Sequence, residues 1–206
     1  MFLETIGRNK YGINSYIVAD EASKKALVID PGVNYDSIMY SLKENKFELQ
    51  AILLTHGHCD HIADVPKLKS QADVPVYAHV KENEILMRGE LNYSKNFGLG
   101  LIEFSADQLI KDGQELDFEW IKFTVIHTPG HTKGGVCYLN GDTMFTGDTL
   151  FAGSMGRTDL YGGNEEHMKA SLQKLSMMDE NINVYPGHGP KSTIKIEKQT
   201  NPFLRF

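Results

Sequence analysis

Cysteine is scarce in this chain, with two in 206 residues, Cys59 and Cys137. That is too few for a disulfide framework. No run of Lys or Arg occurs and the net charge is −6. A nucleic-acid ligand, which needs a basic face to displace phosphate counterions, is therefore not expected. No apolar stretch approaches the roughly 20 residues that cross a bilayer. The opening MFLETIGRNKYG lacks the basic-then-apolar layout of a secretory leader. Linker-like or low-complexity tracts are also missing. These absences lead us to expect one domain over residues 1–206, acting in the cytoplasm, with neither nucleic acid nor membrane as partner. With 41% apolar and 23% charged residues, a chain of this length can bury a substantial core.

Short β-rich runs recur along the chain: Ile13–Ala19, Ala26–Asp30, Ala51–Thr55, Val74–Ala78, Ile121–His127, Val136–Leu139, Met144–Thr146 and Asn183–Tyr185. Gly, Pro, Asn or Asp punctuates each one. Helical spacing of apolar residues marks Tyr35–Asn45, through Ile38 and Leu42, and Glu165–Met177, through Met168, Leu172 and Leu175. Asn34 and Asn164 stand where N-caps belong. A further helix is expected over Ile62–Ser70. Strands and helices mix in both halves, which predicts a layered α/β domain.

The richest segment is THGHCDH, Thr55–His61. A strand ends near Thr55, so His56 and His58 project to one side across Gly57 and can share a metal. Asp60 and His61 follow at the turn into a helix and can face a second metal. Imidazole with carboxylate suits zinc, but also iron or manganese. Further metal-type residues follow other strands: His131 in HTPGHT, Asp148 in GDTLF and His188 in PGHG. If those strands run parallel within their sheets, all of these side chains gather at one edge. Seven titratable groups buried together would be costly without a cation to pair them. His79, His127 and His167 read as ordinary histidines, with His127 supporting the HTPGH loop through a hydrogen bond. Cys59 reads as a buried spacer. Asp30, in a DPG turn, serves either as a turn residue or as the partner of a ligating histidine.

These motifs, in this order and at these intervals, resemble the metallo-β-lactamase superfamily. Within it the chain is most similar to compact, glyoxalase II-type hydrolases. The likeness runs from the DPG at Asp30 through GSMGRTDL, Gly153–Leu160, to GPKSTIKIEKQTNPF, Gly189–Phe203. The resemblance implies an αββα four-layer sandwich with two divalent metal ions, zinc by expectation, at one edge between two sheets. Carried over by position, His56, His58 and His131 would hold one metal and Asp60, His61 and His188 the other, with Asp148 bridging.

The activity expected from this resemblance is hydrolysis of a small acyl-thiol, such as S-lactoylglutathione, by metal-activated hydroxide. Asp60 would handle the proton of the nucleophile. Thiolate leaves easily, so no strong general acid is required. Long-form relatives carry a C-terminal helical domain for glutathione, for which this chain ends too soon. Arg157 is then the expected anchor of a substrate carboxylate, unless it pairs with Asp159, and Tyr161 is expected at the entrance. Rival readings are a one-iron persulfide dioxygenase using His56, His131 and Asp148, and a non-catalytic metal-binding module.

Overall fold

In the computed structural model, which describes residues 1–7 and 9–205, contacts divide the chain into two compact units. One comprises Met1–Ala78 with Asn83–Leu109; the other comprises His79–Glu82 with everything from Ile110 onward.

The first unit is built on a six-stranded sheet in simple sequential order: β1 (Phe2–Ile6), β2 (Ser15–Ala19), β3 (Lys25–Ile29), β4 (Glu48–Leu53), β5 (Val76–His79) and β6 (Gln108–Ile110). β1, β2 and β3 form an antiparallel meander, whereas β3, β4 and β5 run parallel. The parallel pairings require crossovers, which α1 (Tyr35–Asn45) and α3 (Val65–Ala72) supply, and a single-turn α4 (Asn83–Leu86) follows β5. Ile38 and Leu42 of α1 and Leu68 of α3 are buried in one cluster with Ile17, Val28 and Ile52. Ala26–Ile29 is buried throughout, which explains why that strand reads as a continuous apolar run rather than an alternation.

The second unit holds another six-stranded sheet, in the order β14 (Ser192–Thr193), β13 (Asn183–Pro186), β10 (Thr143–Gly147), β9 (Val136–Asn140), β8 (Lys122–His127) and β7 (Glu115–Asp117). β9 is antiparallel to both β8 and β10, and β10 is parallel to β13. Consequently β8, β10 and β13 all point the same way, and the loops after them emerge at one edge. A small ribbon of β11 (Leu150–Phe151) and β12 (Ser154–Met155) follows β10. Met168, Leu172 and Leu175 of α5 (Glu165–Ser176) pack with Met144 and Val184 and with Ile194 of α6 (Ile194–Thr200). Among the described residues no helix is long and apolar enough to cross a membrane.

Two local expectations need correction. The helix expected over Ile62–Ser70 is two pieces, α2 (Cys59–Ile62) and α3. Asp64, just before α3, turns its carboxylate away to accept the backbone N–H groups of Asn34 and Tyr35 at 2.6 Å each. Asp64, not Asn34, thus caps α1: the Asn34 amide is drawn off to donate to Ile6 O and Ser15 Oγ. Asn164 does act as expected, its side chain accepting from His167 N–H at the start of α5. The strand reading missed β1, β6, β7, β11, β12 and β14, short mixed segments that carry little periodicity.

Candidate metal centre

In the first unit the loop after β4 carries His56 and His58, and α2 carries Asp60 and His61. Asp30, directly after the parallel neighbour β3, organises them. It is 2% exposed and adopts φ 48°, a left-handed conformation that Asp tolerates better than most residues. Its Oδ1 accepts the Thr55 N–H at 2.7 Å, and its Oδ2 accepts the Thr55 hydroxyl at 2.5 Å. The same Oδ2 lies 2.9 Å from His61 Nδ1.

These contacts settle two tautomers. His61 donates Nδ1–H to the carboxylate, leaving its Nε2 lone pair for a metal. The Thr55 hydroxyl proton is committed to Asp30, so at 3.2 Å His56 Nδ1–H donates to Thr55 Oγ1, and its Nε2 is likewise left as a lone pair. One ligand atom each from Asp30, His56 and His61 lies within 4.8 Å of the others. Asp30, already bonded to Thr55 and His61, is the support in that group. Asp60 Oδ2 stands 3.9 Å from His61 Nε2. His58 packs against Tyr93, ring centroids 5.6 Å apart. Tyr93 has φ 66°, and its neighbour Asn92 accepts the Cys59 N–H through its carbonyl at 2.8 Å. Nothing in the spacing of the sequence marks Tyr93. Cys59 is buried, and desolvation pushes its thiol up to about 12.

In the second unit His131, Asp148 and His188 leave the ends of β8, β10 and β13. Asp148 Oδ2 lies 3.5 Å from His131 Nε2 and 3.6 Å from His188 Nε2. His131 Nδ1–H donates to the Arg157 carbonyl at 2.7 Å, so it too presents Nε2 as a lone pair. Gly156 permits this approach. A Cβ there would come within 1.8 Å of the Asp148 carbonyl oxygen and 3.3 Å of His131 Cγ. Phe151 meets the His188 ring edge-on at 6.0 Å.

The donors fit a divalent cation. The His131–Asp148 and His188–Asp148 separations exceed a hydrogen bond. Two ligands each about 2.0–2.1 Å from one tetrahedral zinc stand about 3.3 Å apart, close to what is found. Imidazole lone pairs and carboxylate oxygens, with Nδ1 protons already held elsewhere, form a borderline set that suits zinc, iron or manganese.

The other sequence candidates fall near this frame. Arg157 and Asp159 form an exposed bidentate pair, at 2.7 and 2.8 Å, and the guanidinium holds the Asp159 carboxyl down at about 2. Tyr161 receives a hydrogen bond from Lys133 Nζ at 3.2 Å, and Lys133 also stands over its ring. His127 does brace its loop, its Nε2 lying 3.0 Å from the Lys133 carbonyl, and His79 stacks on it at 4.1 Å. His167 sits exposed in the first turn of α5. Glu82, wholly buried, went unnoticed in the sequence because a lone Glu carries no motif.

Comparison with known proteins agrees with this geometry. The family model of the metallo-β-lactamase superfamily matches residues 8–188. A probable metallo-hydrolase YqgX of Bacillus subtilis is 37% identical over 92% of this chain and 90% of its own. The hydroxyacylglutathione hydrolase GloC of Haemophilus influenzae is 32% identical over 99% and 98%. Among solved structures, BLEG-1 B3 metallo-β-lactamase superposes with a TM-score of 0.93 at 36% identity over 100% of both chains. TTHA1623 in a di-iron-bound form gives 0.88 at 32% over 98% and 100%. ETHE1 from Myxococcus xanthus gives 0.84 at 28% over 98% and 84%. With a family model running through most of its length and relatives above 30% identity along nearly all of it, this chain belongs to the metallo-β-lactamase superfamily and has the fold of that family.

Proposed function

We propose that the protein is a binuclear metal-dependent hydrolase that cleaves the thioester of a small acyl-thiol, in the manner of glyoxalase II. The observation that carries this reading is the aim of the ligand atoms. Three imidazoles are anchored through Nδ1, and Asp148 Oδ2 is aimed at the Nε2 atoms of both His131 and His188. In this proposal His56, His58 and His131 hold one metal, Asp60, His61 and His188 the second, and Asp148 both. Zinc is the proposed metal, although a di-iron form of a relative at 32% identity keeps iron in the test.

Divalent cations held there would supply a water whose pKa falls towards about 7 and a Lewis acid for a carbonyl oxygen. The remaining work falls to the chain. Asp60, whose side chain is 25% exposed, takes the proton of the attacking water. Asp30 and Thr55 hold His61 and His56 at fixed angles. The Arg157 backbone holds His131, while its side chain meets an anionic group of the substrate by exchanging the exposed Asp159 carboxylate for it. Tyr161 and Lys133 supply a polar edge to the entrance. A thioester suits this set because a thiolate departs without a strong general acid. GloC, a hydroxyacylglutathione hydrolase by name, supports the same substrate class. We place the reaction in the cytoplasm, carried out by both units as one domain.

A persulfide dioxygenase with one iron is the second reading, favoured by the Gly156-Arg157-Thr158-Asp159 loop. The test is metal content per chain on protein purified without chelators, with S-lactoylglutathione, a β-lactam and a persulfide offered separately. Two metals and thioester cleavage that is lost to a chelator and restored by Zn²⁺ are expected. One iron with persulfide-dependent oxygen uptake would favour the dioxygenase. Cleavage of the β-lactam alone would overturn both.

A further inference from the structure

His79–Glu82 interrupts the first unit in sequence yet belongs to the second by contact. These four residues form a tight corner, closed by the Glu82 N–H donating to the His79 carbonyl at 2.8 Å. Both ends of the corner grip one loop, the segment 127–135 that carries His131. His79 stacks on His127 with centroids 4.1 Å apart and planes 14° apart. At the other end the Glu82 carboxylate, 0% exposed, accepts the Gly134 N–H through Oε1 at 2.7 Å. The fit is close enough to demand a glycine: a Cβ on residue 134 would lie 2.7 Å from Glu82 N and 2.9 Å from Glu82 Oε1.

Within the loop, Thr128 N–H donates to the Gly135 carbonyl and Gly130 N–H to the Thr132 carbonyl. His127 Nε2 reaches the Lys133 carbonyl at 3.0 Å. The segment is therefore cross-braced, so a displacement at Gly134 is passed back to His131. Burying a carboxylate is expensive, and here a main-chain amide of this loop is one of its partners. An apolar side chain could fill the space at less cost, but it could not fix the loop.

We propose that Glu82 is a positioning residue for His131: its carboxylate sets where the loop, and so the His131 imidazole, stands, and thereby sets metal affinity. This rests on the reading of His131 as a metal ligand. Glu82 acts through Gly134, whose N–H it accepts.

The experiment uses the full chain, stripped of metal and titrated with Co²⁺ in competition with a chromophoric chelator. The Tm of the metal-free chain is measured alongside. Glu82→Asp keeps the charge but withdraws the oxygen, and Glu82→Gln keeps the length and one accepting oxygen. Glu82→Asp and Glu82→Ala are expected to weaken Co²⁺ binding by about tenfold to a hundredfold, while Glu82→Gln stays within about threefold of the parent. If Glu82→Ala does not fold, Glu82→Asp carries the comparison alone. Wild-type affinity in Glu82→Asp or Glu82→Ala, whatever their Tm, overturns the proposal, because a merely structural role lowers Tm and leaves affinity intact. An equal loss in Glu82→Gln overturns it as well. His131→Ala is the separate control: if it binds Co²⁺ as tightly as the parent, the ligand reading itself has failed.

Discussion

Asp30→Asn changes only a few atoms at a point where three hydrogen bonds meet. The carboxylate accepts the Thr55 N–H, the Thr55 O–H and the His61 Nδ1–H at 2.7, 2.5 and 2.9 Å. An amide of the same shape offers one accepting oxygen and one NH₂. Placed with oxygen towards Thr55 N, its NH₂ opposes the His61 N–H; flipped, it opposes the Thr55 N–H. With the His61 proton kept on Nδ1, either placement costs one buried donor its partner, about 1–3 kcal/mol, and the charge-assisted character of the remaining bonds is lost as well. We expect a loss near 3 kcal/mol, against a total stability of about 5–15 kcal/mol. For a chain of this size that lowers Tm by about 6–12 °C. Asn tolerates the left-handed backbone at φ 48° about as well as Asp, so backbone strain does not confuse the comparison. Urea unfolding of the metal-free chain is the assay, since bound metal would add its own linkage. A midpoint shift worth less than about 0.5 kcal/mol would refute the reasoning. It would mean that water, a moved Thr55 rotamer or the other His61 tautomer satisfies these groups.

Asp148→Ala should abolish most hydrolysis and lower the metal content per chain, as read by elemental analysis; full loading with near-normal turnover would rule out a bridging role. Gly156→Ala drives a Cβ into the Asp148 carbonyl oxygen, 1.8 Å away, so it should destabilise the fold by about 1–3 kcal/mol or more and reduce metal content; unchanged urea and metal titrations would contradict it. His79 supplies a pH test. Burial, with the stacked His127 adding to it, pushes His79 down to about 4 from 6.5. Between those values the unfolded chain holds more protons, so stability rises with pH across the window and is lost as pH falls from about 6.5 towards 4. The loss from this residue is on the order of 1–3 kcal/mol. His79→Gln should flatten the difference in urea midpoint between pH 5 and pH 7.5; an undiminished difference would show that other groups produce it.

The seven metal-type residues could be proposed from the sequence because their chemistry is local. H-x-H-x-D-H follows one strand, and His131, Asp148 and His188 each follow a Gly- or Pro-marked turn after others. Within each sheet, parallel strands deliver such loops to one edge, so residue type and strand order were enough to propose them. The long helices and central strands were legible for the same reason: each carries its period within itself. What local spacing did not contain is who holds the ligands in place. Asp30 reaches His61 across 31 residues, the Arg157 carbonyl reaches His131 across 26, and Glu82 reaches Gly134 across 52. Asp64, two residues after α2, caps a helix that starts 29 residues earlier. A lone carboxylate looks alike in a turn, in an ion pair or beneath a ligand loop. Only chain closure, which brings one donor within 3 Å of one acceptor and shuts out water, decides which it is.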